Sequence, residues 1–295
     1  MNSMVRLLGR PLRNTVRRHV EGVANREWPA RREDLERRME LTPIGRFDAR
    51  DVVIIGYRRS GTTWLQTLVA GLVYGVDPVM TPYPVINELV PGQGHGYYRR
   101  VAEPMYFKAH YRPIAALRRV IYLVRDGRDA LASNVYWLPE FQGEGATPER
   151  YVQDGDVLYG RWHEHVEAWL ENPYEAELLV IRYEDLKSNG PDEMERLRAF
   201  LGVERDAEFL RTLYERTSFQ KLRDKEAREK SAQATEAKRY VRRGEVGSYK
   251  DEVPPHLLAM FIEQAGGTLR RFGYIDGPTP DGEHASIMAG EETVR

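Results

Sequence analysis

Four short apolar runs stand out along the middle of the chain. Val52-Val53-Ile54-Ile55, closed by Gly56, reads as a strand buried on both faces, because an unbroken run of β-branched residues suits the interior of a parallel sheet. Met105 to Ala109, Val120 to Val124 and Leu178 to Arg182 are three further strand candidates. Helical stretches separate them, the first predicted from about Thr62 to Tyr74. This alternation predicts an α/β fold with a central, mainly parallel sheet flanked by helices, a layout whose ligands bind beyond the carboxyl ends of the strands. Residues 81–104, rich in Pro, Gly and Tyr and without a period, read as one long loop. Residues 220–240 are highly charged with almost no large apolar side chains, as in a solvated helix or a mobile lid.

The two ends differ from this middle. Residues 1 to about 45 are rich in arginine, and Val5, Leu8, Leu12, Val16, Val20 and Val23 fall near a 3.6-residue period, so the segment reads as a basic helical arm weakened at Pro11. Such an arm packs on the core, stays partly disordered, or makes peripheral contact with a membrane surface. Residues 46–276 form the expected main domain and 277–295 a disordered tail; no internal repeat is visible. The first residues lack the continuous apolar stretch of a secretory signal, and no later segment reaches the roughly 20 apolar residues of a membrane span.

Charge and cysteine usage narrow the classes further. With 44 basic against 45 acidic residues, bulk attraction to nucleic acid is not expected, so any anion site must be local. The absence of cysteine rules out disulfides and thiolate metal sites and suits a reducing compartment, which points to the cytoplasm.

The chemistry concentrates in Gly56-Tyr57-Arg58-Arg59-Ser60-Gly61-Thr62-Thr63-Trp64, between the first strand and the first helix. A glycine turn there lets backbone N–H groups converge on an anion, the helix N-terminus adds partial positive charge, and Ser60, Thr62 and Thr63 add hydroxyl donors. Both glycines of the nucleotide-triphosphatase pattern are present, but Thr62 stands where its lysine belongs and the cation lies earlier, at Arg59, implying an anion shorter than a triphosphate. A second strand-to-helix segment runs from Tyr122 to Ser133, with Arg125 at the strand end and Ser133 about two helical turns on. Phe107-Lys108-Ala109-His110 closes another strand, and Arg242-Arg243-Gly244-Glu245-Val246-Gly247-Ser248-Tyr249-Lys250 forms a late cationic glycine loop.

These segments, in this order from about residue 50 to 250, resemble the motifs of the sulfotransferases that use 3'-phosphoadenosine 5'-phosphosulfate (PAPS). That family's donor loop commonly reads Tyr-Pro-Lys-Ser-Gly-Thr-Thr-Trp; here Arg58 and Arg59 replace the proline and lysine. The resemblance implies a P-loop-like single domain over residues 46–276. It further implies that Arg59, Ser60, Gly61, Thr62 and Thr63 hold the 5' end of the nucleotide, and that Arg125, Ser133, Arg242, Arg243 and Gly244 hold its 3'-phosphate. Trp64, Tyr183, Thr217 and Phe219 are then expected around the adenine, and PAPS is the expected co-substrate, with no metal required. His110 is implied as the general base, with Lys108 and Arg59 stabilising the transferring group. Tyr83, Tyr97, Tyr98, Tyr106 and Trp137 could line an apolar acceptor pocket, favouring a phenol, a hydrophobic alcohol or a natural product, with lipid or glycan as the alternative acceptor. The family's common dimer motif would begin at Lys250, but Pro254, Pro255 and Ala259 occupy its diagnostic places, so the oligomeric state stays open. His163 and His165 lie two apart on a helix and face different ways, which argues against a metal pair. The competing readings are a P-loop small-molecule kinase and a catalytically silent nucleotide-binding or membrane-surface adaptor.

Overall fold

Strand β1 (Val52–Ile55) is buried along its whole length and lies at the centre of a four-stranded parallel sheet. Its neighbours are β2 (Tyr106–Ala109) on one side and β3 (Arg119–Val124) on the other, with β4 (Glu177–Arg182) outermost beside β3. The register pairs Ile55 with Ala109 and with Tyr122, and Val124 with Arg182, so the carboxyl ends of all four strands face one edge. The structure, a computed structural model, describes residues 34, 36–138, 145–232 and 243–277.

The helices are α1 (Thr62–Tyr74), α2 (Tyr83–Leu89), α3 (Gly127–Tyr136), α4 (Pro148–Asp154), α5 (Trp162–Glu171), α6 (Tyr183–Ser188), α7 (Gly190–Leu201), α8 (Ala207–Arg216), α9 (Phe219–Ala232), α10 (Tyr249–Glu252) and α11 (Pro255–Arg271). One sheet face, carrying Val52, Ile54, Ile121, Leu123 and Ile181, packs under Leu65, Leu68 and Leu72 of α1, Leu197 of α7 and Leu213 of α8. On the other face Tyr122 stacks between His165 and Trp169 of α5, at 5.8 Å from each ring. Both faces are therefore covered, which is why the strands read as continuous apolar runs.

Two compact units are distinguished: residues 45–95 with 101–295, which hold this sheet, and residues 1–44 with 96–100. In the second unit Thr42–Pro43 pairs antiparallel with Tyr97–Tyr98. Of the helical arm expected over residues 1 to about 45, residues 34 and 36–45 are described, and they include the strand Thr42–Pro43; of the tail 277–295 only Gly277 is described.

Two expectations need correction. Residues 81–104 are not one loop, since they contain α2 and the short strand Tyr97–Tyr98. Helix α2 follows Pro82 with Pro84 in its first turn, buries only Ile86, and has its first N–H held by Glu229 of α9, whose carboxylate accepts from Tyr83 N–H. One buried contact cannot generate a period, and a partner 146 residues away leaves no local trace. The described part of 220–240 is helical but not simply solvated, because Leu222, Lys225 and Glu226 are buried, with Lys225 Nζ donating to Pro78 O at 2.9 Å.

Candidate active site

The loop from β1 into α1 is shaped by close approaches. A Cβ on Gly56 would stand 2.7 Å from Leu123 O, and Gly61, at φ 98°, has Tyr183 ring carbon 2.8 Å from where its Cβ would be. Arg59 adopts φ 68°, a conformation that costs an L-residue about 1–2 kcal/mol and so is held in place by its surroundings. Ser60 is fully buried, and its Oγ has no hydrogen-bond partner among the described residues. Helix α1 opens without a side-chain cap, which leaves the first N–H groups directed at the loop.

Lys108 and His110 arrive from the carboxyl end of β2. Lys108 Nζ reaches Thr63 Oγ1 at 3.3 Å, and burial together with the charge of Arg59 lowers its pKa to about 8. His110 Nδ1 lies 2.6 Å from Gly56 O; a carbonyl can only accept, so Nδ1 carries the proton and Nε2 keeps its lone pair. Burial, helped by the positive charge of Lys108 and Arg58, pushes its pKa down to about 3, despite the opposing contribution of the Gly56 bond. The imidazole is neutral at pH 7.

Arg125 leaves β3 and is boxed in: its guanidinium donates to Arg59 O (3.3 Å) and Glu245 O (2.8 Å) and covers the Tyr183 ring at 4.5 Å. Ser133, on α3, accepts from Arg59 Nε at 3.0 Å, so this arginine of the β1–α1 loop leans toward α3 and lies 5.0 Å above Trp137. The late loop is pinned by Asp129, a fully buried carboxylate that accepts from Gly247 N (2.8 Å), Ser248 Oγ (3.2 Å) and Tyr249 N (3.0 Å). Gly244, at φ 64°, lies against Phe219, and its carbonyl accepts from Tyr183 OH (3.0 Å) and from Lys187 Nζ. Arg243 pairs with Glu252 at 3.1 Å, and Thr217 is fully buried with its hydroxyl on Tyr214 O. Trp64 stands edge-on to Tyr183 at 5.5 Å. Arg242 lies outside the described residues.

A cleft of about 940 Å³ opens among these groups. Arg59, Gly61, Thr62, Thr63, Trp64, Lys108, His110, Arg125, Ser133, Tyr183, Thr217, Phe219, Arg243 and Gly244 all line it, although they come from segments far apart in the chain. Of the aromatic side chains expected around an acceptor, Tyr83 lines the cleft. Tyr106 is buried in the core against Tyr74, because it sits two residues before Lys108, roughly 7 Å further from the strand end. Trp137 lies under Arg59, and Tyr97 and Tyr98 belong to the smaller unit.

Other residues of the site were not expected there. Gln93 lines the cleft and its Oε1 accepts from His110 N at 2.6 Å. His165 is buried beneath His110: its Nε2 donates to His110 O (3.1 Å) and its Nδ1 accepts from Tyr122 OH (2.9 Å). Asp129 could have been flagged only by knowing that residues 247–249 fold back on it. Among the described residues no group of His, Asp or Glu forms a metal cluster.

Comparison with known proteins completes the description. Residues 49–273 match the family model described as the sulfotransferase domain. The chain is 27% identical over 238 residues to sulfotransferase 1E1 of Bos taurus, covering 70% of this chain and 80% of that one. It is 30% identical over 197 residues to sulfotransferase 1B1 of Mus musculus, covering 59% and 66%. Two solved structures share the fold. Mouse sulfotransferase SULT7A1 complexed with PAP has a TM-score of 0.53 at 20% identity, over 76% of this chain and 86% of that one. Retinol dehydratase in complex with androsterone and the inactive cofactor PAP has a TM-score of 0.60 at 18% identity, over 79% and 84%.

Proposed function

The chain belongs to the sulfotransferase family, and on that premise we propose that it transfers a sulfuryl group from PAPS to a hydroxyl of a small acceptor, with His110 as base. The observation that carries the reading is the convergence of Arg59, Thr63, Lys108, His110, Arg125 and Ser133 on one cleft of about 940 Å³, large enough for a nucleotide and an acceptor together. The residues fit the donor. Ser60 Oγ is buried without a partner among the described residues, Gly61 has no room for a Cβ, and α1 starts without a side-chain cap, as a loop built to wrap an anion requires.

When bound, PAPS supplies the sulfuryl group and a phosphate leaving group; everything else falls to this chain's residues. The N–H groups and hydroxyls of residues 60–63 hold the 5' end with Arg59, which also stabilises the transferring group, while Arg125 and Ser133 form the pocket for the 3'-phosphate; the Arg59 bond to Ser133 links the two ends. Arg243 and Gly244 close the late loop beside it, and Trp64, Tyr183, Thr217 and Phe219 surround the base. Lys108, anchored on Thr63, neutralises charge that builds between donor and acceptor, in a transfer that depends on in-line positioning and electrostatics. His110 Nε2 takes the acceptor proton. A base with a pKa near 3 is weak in the free enzyme, but its depression comes partly from Lys108 and Arg58. Burial is the larger cause of that depression, and anionic oxygens beside the two cations offset only their share of it, raising the basicity of His110 when the donor is present.

The acceptor is proposed as a phenol or alcohol whose apolar part rests on Tyr83, beside the polar groups of Asn87, Gln93 and His95. A triphosphate donor is disfavoured because Thr62 replaces the lysine that a triphosphate needs. Calorimetry with PAP, the desulfated product, tests the nucleotide site: Arg125→Ala should weaken binding by tenfold or more, since a buried charge-assisted contact is worth about 1.5–3 kcal/mol. A screen of acceptors with labelled PAPS tests the reaction. His110→Ala should bind PAP normally and lose turnover; full turnover in that variant would refute the base assignment.

A further inference from the structure

The candidate base is held by groups outside its own motif. Beyond the ring bond to Gly56 O, the His110 backbone is fixed on both sides, with its N–H on Gln93 Oε1 and its carbonyl on His165 Nε2. Gln93 is in turn oriented by Tyr159, whose hydroxyl accepts from Gln93 Nε2. Tyr159 is buried, and its ring centroid lies 5.7 Å from that of His110. The Arg58 guanidinium sits 5.0 Å from the same Tyr159 ring, and Arg58 Nε pairs with Asp156 Oδ2 at 3.4 Å, the aspartate side chain being only 1% exposed.

Tyr159 and Asp156 belong to one tight hairpin between α4 and α5. Asp156 and Gly160 exchange both backbone hydrogen bonds, at 2.9 and 2.8 Å. The turn closes only because Gly155, at φ 83°, lacks a Cβ, which would stand 2.3 Å from Gly160 C. The hairpin also grips the donor loop a second time, since Tyr57 OH donates to Gly160 O at 2.9 Å. One small element therefore touches the donor loop at Tyr57 and Arg58 and the base through Gln93.

We propose that Tyr159 and Gln93 are positioning residues for His110, and that the Gly155–Gly160 hairpin, through the Arg58–Asp156 pair, holds base and donor loop in one register. The inference rests on the reading of His110 as base. Its physical motive is geometric: in-line transfer needs the imidazole aligned with the acceptor oxygen and the sulfur, and a misplacement of about 1 Å costs on the order of 100-fold in rate. The ring bond to Gly56 sets the tautomer, whereas the position of the residue follows from its backbone, which Gln93 and His165 clamp. Because the proline of the family's donor loop is Arg58 here, the ionic link to Asp156 is built from this chain's own departure from that pattern.

The test uses the full chain with PAPS and 4-nitrophenol. Tyr159→Phe keeps the ring under Arg58 and removes only the hydroxyl that Gln93 donates to. Its kcat should fall by about tenfold or more, with KM for PAPS and affinity for PAP within about twofold of wild type and thermal unfolding little changed. The double variant Tyr159→Phe/Gln93→Ala should fall no further than Gln93→Ala alone, as expected when one residue acts through the other. Wild-type kcat in Tyr159→Phe, or additive losses in the double variant, would overturn the proposal. A loss of kcat matched by an equal loss of PAP affinity would do the same, since it would mark a general structural effect. An acceptor-free arm follows the His110 backbone N–H by NMR: its resonance should shift or broaden in Tyr159→Phe while the ring keeps the tautomer that Gly56 O sets, and an unaltered N–H resonance overturns the proposal. His110→Ala in parallel separates the two claims. If it keeps turnover the base assignment fails and the proposal with it; if it is inactive while Tyr159→Phe is fully active, the positioning claim alone fails.

Discussion

Replacing Asp129 by asparagine keeps the side-chain shape and removes one acceptor and one charge. In the folded protein its Oδ2 accepts from Gly247 N at 2.8 Å and lies 3.6 Å from Arg125, while Oδ1 accepts from Tyr249 N at 3.0 Å and Ser248 Oγ at 3.2 Å. Whichever oxygen becomes the amide nitrogen then points a donor at a backbone donor, in a place with no solvent exposure. One buried N–H left without an acceptor costs about 1–3 kcal/mol, and the loss of the negative charge beside buried Arg125 adds a similar amount, so the strain is about 3 kcal/mol. The late loop can relieve it by detaching. In that case the melting temperature drops less than the roughly 6–12 °C that 3 kcal/mol implies for a protein of this size, and the cost appears as weaker nucleotide binding. We expect PAP affinity to fall about tenfold to a hundredfold by calorimetry, with a measurable decrease in thermal stability. Wild-type PAP affinity together with an unchanged melting temperature in Asp129→Asn would refute the idea that this carboxylate pins the loop.

Two other outcomes are expected. Lys108 has its pKa lowered to about 8, so its cation is lost as pH rises through that value, and kcat/KM, which reports the free enzyme, should decline above about pH 8. Lys108→Arg, whose guanidinium does not titrate there, should retain activity but push that limb upward; an unmoved limb would assign it to another group, such as Lys225, which burial also lowers to about 8. Gly61→Ala should cost about 1–2 kcal/mol in backbone strain alone at φ 98° and should displace Tyr183, seen as a lower melting temperature and weaker PAP binding; a neutral variant would mean the loop has slack.

The legibility of this chain follows interaction range. Strand β1 was readable because both sheet faces are covered there, which imposes an unbroken apolar run, and the β1–α1 loop was readable because the residue types that suit an anion are neighbours between one strand and one helix. The same locality located Lys108, His110, Arg125 and Ser133 at strand ends or one helix away. What escaped was long-range: the helix at Tyr83–Leu89 whose first N–H is held by Glu229, the burial of Lys225 on Pro78 O, and the placement of Tyr106 in the core.

The layer type, the order of the strand-to-helix turns and the residue types suited to an anion are all written locally in the chain, since each depends on contacts within a few positions. Which of those residues share a cleft, and how they are held, follows from long-range packing. His110 lies 17 positions from Gln93 and 54 from Gly56, and Asp129 is 118 from Gly247. The parallel register that joins β1 to β2 and β3 brings such pairs within hydrogen-bond distance. No local pattern encodes which distant donor meets which acceptor; packing of the whole sheet does.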